Sequence, residues 1–185
     1  MANLYEYNIL ENKGVGESEF VEFWAKTYVD KHEVLYSCNI GNPLTPKSIR
    51  ELFEWKNSGP ISEKKLLSIQ RNYIDTRPAC PNVNESEKLM HFITAPGGAI
   101  WRIFWLHCNS PETYPIFDQH VYRAMKKITT GFPEELPATD KAKAKAYVHE
   151  YLPFHTRFSY PDKKKLDEAL WSYGKVLKSN LSVAI

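Results

Sequence analysis

The residues best placed to do chemistry lie in one run, Asp118-Gln119-His120-Val121-Tyr122-Arg123-Ala124-Met125-Lys126-Lys127. Asp118 stands where a helix is predicted to begin. The helix dipole and the N–H groups of the first turn favour an ionised carboxylate there. Held in that way, a carboxylate can activate water or stabilise a cation as a leaving group departs. Asp is also among the commonest helix caps, so an ordinary structural reading stands beside the catalytic one. His120, Arg123 and Lys127 follow at i, i+3 and i+7 on one side of the helix, with Val121, Ala124, Met125 and Ile128 on another. Such a row is either a basic rim for phosphates or a solvated face.

A second group lies upstream. Ala95-Pro96-Gly97-Gly98 reads as a tight turn. Gly97 and Gly98 let a backbone approach a phosphate closely, with N–H groups available where the next helix starts. Most Gly-Gly turns are simply turns. The helix that follows, from about Gly98 to Cys108, carries Ile100, Trp101, Ile103, Phe104, Trp105 and Leu106. Without a clear polar face it is expected to be the central helix of the fold. Trp101 and Trp105 are candidates for stacking on an extruded base, with core packing the commoner role. Arg102, if buried, requires an acidic or carbonyl partner, and Asp118 is one candidate.

Taken together, Ala95-Pro96-Gly97-Gly98-Ala99 and Tyr114-Pro115-Ile116-Phe117-Asp118-Gln119-His120-Val121-Tyr122-Arg123 resemble the helix-hairpin-helix DNA glycosylase superfamily, including its 8-oxoguanine glycosylase branch. That family joins a Pro-Gly hairpin and an apolar helix to a Pro-hydrophobic-Asp-x-His-hydrophobic-x-Arg segment. The match covers roughly 30 of the 185 residues. The resemblance implies DNA as partner and cleavage of an N-glycosidic bond of a damaged or modified base. It assigns Asp118 as the catalytic carboxylate, Gly97, Gly98, His120, Arg123 and Lys127 as DNA-binding residues, and Trp101 and Trp105 as a base pocket. Two departures matter. The hairpin is one residue shorter than the family's Pro-Gly-hydrophobic-Gly. Ile100 and Trp101 also stand where bifunctional members carry a Lys, so the resemblance implies attack by water and base release without strand cleavage. The alternative is a non-enzymatic DNA- or protein-interaction module that keeps the hairpin fold.

The elements that must position these residues read as an all-α protein of about eight helices around the apolar one. The first is predicted over Ser18 to Lys31. Thr45 caps a second with Pro46 in its first turn. Ser62 caps a third, and a fourth runs from about Asn84 to Ile93. After the apolar helix and the Asp118 helix, Thr139 caps another that ends near Tyr151. The last opens at Pro161 and carries a stripe of Leu166, Ala169, Leu170, Tyr173, Val176 and Leu177. A short strand is conceivable only near Glu33 to Cys38. The length suits one domain, or one domain of two small helical lobes meeting near 76–98.

Composition bounds the rest. Hydrophobic residues make up 43% and aromatics 14%, enough for a core and against disorder. With 24 Lys+Arg against 22 Asp+Glu, the net charge of +2 neither announces nor excludes a nucleic-acid binder. Cys38, Cys80 and Cys108 lack the spacing of a zinc or iron–sulfur site, and His107 and His149 have no metal-ligand pattern, so no metal or other cofactor is expected. Met1 to Leu10 does not read as a signal peptide, and the densest apolar stretch, Ala99 to Leu106, is too short to span a bilayer. A cytoplasmic protein with no membrane partner is the expectation; oligomeric state is not readable.

Overall fold

The computed structural model describes residues 16–80 and 86–181, with side chains up to 178. The described residues form an all-α protein without strands. No helix among them is long and apolar enough to cross a membrane. The chain divides into two compact units. Unit one holds described residues 16–28, 115–138 and 149–181. Unit two holds 29–80, 86–114 and 139–148. The described residues of the segment 76–98 lie inside unit two.

Unit one is built on three helices, α1 (Glu17–Ala25), α7 (Gln119–Thr130) and α10 (Lys163–Leu181), with the short α9 (Leu152–Thr156) beside them. Helix α10 packs against both α1 and α7. Its stripe of Leu166, Ala169, Leu170, Tyr173 and Leu177 is buried, while Val176 is exposed. Tyr173 meets Phe20 edge-on and lies beside Trp24 of α1. Helix α1 is shorter than predicted. Gly16, not Ser18, is its N-cap, and the Glu19 carboxylate accepts the Gly16 N–H. The helix ends at Ala25 because the Thr27 hydroxyl and backbone N–H both donate to the Trp24 carbonyl, closing a tighter turn.

Unit two contains α2 (Glu33–Ser37), α3 (Pro46–Lys56), α4 (Glu63–Ile69), α5 (Ser86–Thr94), α6 (Ala99–Asn109) and α8 (Asp140–Lys145). Two π-helical turns, Gln70–Asp75 and Ala146–Tyr151, continue α4 and α8, the second running on from unit two into unit one at His149. The conceivable strand at Glu33 to Cys38 is the single-turn helix α2. Five residues are too few for alternation to decide between strand and helix, and the buried Tyr36 is tied down by a bond to His107. Thr45 caps α3 by accepting the Ser48 N–H, and Ser48 returns a bond to the Thr45 N–H. Ser62 stands at the start of α4 without making a side-chain cap bond. The expected start of the fourth helix at Asn84 lies outside the described residues, as does Met1 to Leu10.

Helix α6 is the centre of unit two. Arg102 through Cys108 are all buried, and α5 and α8 pack against it. Phe104 touches the rings of Phe53 and Trp55. His107 donates from Nδ1 to the Tyr114 carbonyl at 2.8 Å, so its Nε2 accepts from the Tyr36 hydroxyl, also at 2.8 Å. Arg102 does find a carbonyl partner: its Nε donates to Pro96 at 2.7 Å, and its guanidinium lies over the rings of Tyr73 and Phe92.

Candidate functional site

In unit one, Asp118 is the N-cap of α7. Its Oδ1 accepts the N–H groups of His120 at 2.8 Å and Val121 at 3.2 Å. The residue is half-buried, so the carboxylate sits at the positive end of a twelve-residue helix with part of its surface in solvent.

His120, two residues on, is half-buried. Burial, reinforced by the charge of Arg123, holds its imidazole below the usual range, against the opposing pull of Asp118. It is therefore neutral at physiological pH. Its Nδ1 accepts from Arg123 at 3.4 Å, which leaves the proton of the neutral ring on Nε2. The ring stands 5.2 Å from that of Trp171 on α10. Trp171 is half-exposed, with Tyr28 against its edge at 5.4 Å and the Lys175 ammonium 4.6 Å over its ring. An aromatic platform with one ammonium over it thus adjoins the His120 ring. The sequence had not singled out Trp171 as a site residue. The detectable signal was a Trp interrupting the apolar stripe of the last helix beside Lys175.

Arg123 has no exposed surface. Its Nε and Nη2 donate to the Glu135 carboxylate, and its Nη1 donates to the Gly174 carbonyl and to His120. All five donors of the guanidinium are used within unit one. His120 and Arg123 both meet α10, at Trp171 and Gly174, while most of the Arg123 bonds go to Glu135 in the loop after α7. The contact with α10 depends on Gly174: a Cβ there would lie 1.9 Å from the His120 carbonyl oxygen, so only glycine permits the two helices to approach this closely. Lys127 is half-buried, nine residues beyond Asp118, or about 13 Å along the helix axis.

No family model matches the chain. Neither does a curated protein or a solved structure.

Unit two holds the hairpin. Gly97 and Gly98 have φ of 114° and 82°, values that L side chains rarely adopt. A Cβ on Gly97 would also strike the Tyr73 hydroxyl at 2.6 Å, whereas Gly98 faces open space. Gly98 is the N-cap of α6. Around it opens a cleft of about 490 Å³ lined by Lys64, Lys65, Lys143, Asp140, Ile100 and Trp101 among others. Trp101 is half-exposed there, with Lys65 5.8 Å over its ring. Trp105, in contrast, is buried and its indole N–H donates to the Pro78 carbonyl at 2.9 Å. Of the two tryptophans named from the sequence, Trp101 alone faces an open space. The three lysines beside Gly98 were not singled out by the sequence, because two lie on α4 and one on α8. Among the described residues there is no cluster of His, Cys, Asp or Glu that could hold a metal ion.

Proposed function

We propose that this protein binds DNA and releases a damaged or modified base by hydrolysis of its N-glycosidic bond, leaving the strand intact. The reading rests on Asp118: a partly exposed carboxylate fixed at a helix N-terminus by two backbone bonds, next to a neutral histidine that packs against a half-exposed tryptophan. A fixed anion stabilises the positive charge that grows on the sugar as the base leaves. The bond from the sugar carbon to the base nitrogen breaks and a bond to a water oxygen forms. One water proton passes to the departing base. Trp171 offers a flat surface to a base taken out of its stack. In unit two, the lysine-lined cleft around Gly98 suits the phosphate backbone. Ile100 and Trp101 supply no amine of their own at the start of α6; the amines there are those of Lys64, Lys65 and Lys143 in the cleft.

The test uses duplex oligonucleotides that each carry one oxidised, deaminated or alkylated base, with free base measured by mass spectrometry. Base release that survives in wild type, vanishes in Asp118→Asn and gives no adduct under borohydride supports the reading. A trapped adduct would assign the chemistry to a lysine, Lys126 or Lys127 being the nearest in sequence. No release from any duplex would favour a second reading, a binding module in which Asp118 is only a cap. The saturation of Arg123 by protein acceptors speaks for that alternative, since it removes one cation from the row next to Asp118.

A further inference from the structure

Asp118 is fixed from behind as well as from ahead. The segment leading to it, Pro115-Ile116-Phe117, is buried. Proline has no N–H, so Ile116 carries the first backbone N–H of this segment. Its N–H donates to Oδ2 of Asp167, on α10, at 3.3 Å. The other oxygen of Asp167 faces His155 Nε2 at 3.1 Å. Both side chains are only 7% exposed. A carboxylate this deep needs a donor on each oxygen, and it has one on each. Phe117 then packs on Tyr122 and Tyr151, and Tyr151 lies beside His155. The buried carboxylate thus has one oxygen on the backbone two residues before Asp118.

We infer that Asp167 and His155 are positioning residues for Asp118: Asp167 holds Ile116, His155 orients Asp167, and together they fix where the Asp118 carboxylate stands. The inference rests on the reading of Asp118 as the reacting carboxylate, but its first test does not.

That test is residue-resolved amide hydrogen exchange on the full chain, comparing wild type with Asp167→Ala, Asp167→Asn and His155→Gln. In Asp167→Ala the amides of His120 and Val121, which bond to Asp118, should exchange at least about tenfold faster, a change of about 1.4 kcal/mol in opening. Interior amides of α1 and α10 should keep their protection. Asp167→Asn retains an acceptor for Ile116 and should restore most of the protection, while His155→Gln should fall between. The second readout is single-turnover base release, whose rate should follow the same order with duplex affinity unchanged. If no variant or wild type releases base but the exchange pattern appears, the positioning stands and the catalytic reading fails. Protection at His120 and Val121 unchanged in Asp167→Ala would overturn the inference. So would an even loss over α1, α7 and α10. An unfolded Asp167→Ala with His120 and Val121 undisturbed in the other two variants would make the pair ordinary core packing.

Discussion

Replacing Gly174 by Ala tests the geometry of unit one most directly. In an exposed helix interior the change would stabilise by about 1 kcal/mol, because alanine loses less backbone freedom. Here the added Cβ would lie 1.9 Å from the His120 oxygen and 2.6 Å from its carbonyl carbon. Ordinary contact begins near 3.4 Å, so α7 and α10 must separate by about 1.5 Å at this point. Both clashing atoms are backbone, and no rotamer change relieves them. Separation stretches the 3.1 Å bond from Arg123 Nη1 to the Gly174 carbonyl. A bond from a charged donor contributes about 1.5–3 kcal/mol, and overpacking costs about 1–3 kcal/mol. After the helix-propensity gain, the net loss should be about 1.5–5 kcal/mol. Urea unfolding followed by tryptophan fluorescence measures it, and Trp171 reports on the separated face. A variant as stable as wild type, or more so, would refute the close approach of α7 and α10 and the packing of His120 on Trp171 that depends on it.

Phe104→Ala should destabilise by about 3–5 kcal/mol, since the ring is buried in an aromatic cluster; a thermal-melt loss equivalent to under about 1 kcal/mol would place α6 at the periphery of its unit. For His120 the sign of the pH effect is fixed by its lowered pKa. Between that value and the ordinary value of about 6.5, the unfolded chain binds the proton and the folded chain does not. Stability should therefore fall as pH drops through this window and level off below it, and His120→Gln should lose less stability than wild type between pH about 7.5 and about 5.5. Parallel losses in the two proteins would show that His120 is not the titrating group. On the DNA side, Lys64→Gln with Lys143→Gln should weaken binding to any duplex and reduce the salt slope by about two. An unchanged slope would mean that the cleft around Gly98 does not meet phosphates.

The sequence made the local features legible and left the distant ones hidden. Thr45, Asp118 and Thr139 were expected to be caps, and each accepts a backbone N–H three or fewer residues on. A cap is decided by a few neighbouring residues, so one sequence suffices. The apolar α6 was legible for the same reason: its burial follows from its own side chains. The row His120, Arg123, Lys127 was read on one helical side, but what meets His120 and Arg123 was invisible. Besides Glu135, the partners are Gly174 and Trp171, 51 residues from Arg123 and His120. Gly174 had left a trace, a glycine inside a helix where alanine would cost less. Asp167 had left another, a carboxylate beside Leu166 and Ala169 in a buried stripe.

Those three residues of α10 share one logic. Asp167, Trp171 and Gly174 fall at i, i+4 and i+7, so they form a single face. Ile116, His120 and Arg123 fall at the same intervals along the chain that enters α7. Each pair is offset by the same 51 residues: Ile116 with Asp167, His120 with Trp171, Arg123 with Gly174. A constant offset means that α7 and α10 run parallel, in register, through the stretch that carries Asp118. Parallel neighbours cannot be joined by a short turn, and here the chain leaves unit one after Ala138 and returns at His149. The consequence is that α10 acts on Asp118 through rigid backbone and ring contacts at three successive levels. A substitution at any one level should shift the other two together. Double-mutant cycles between the levels should therefore show coupling of about 0.5–3 kcal/mol, whereas pairs between α10 and α1 outside direct contact should add.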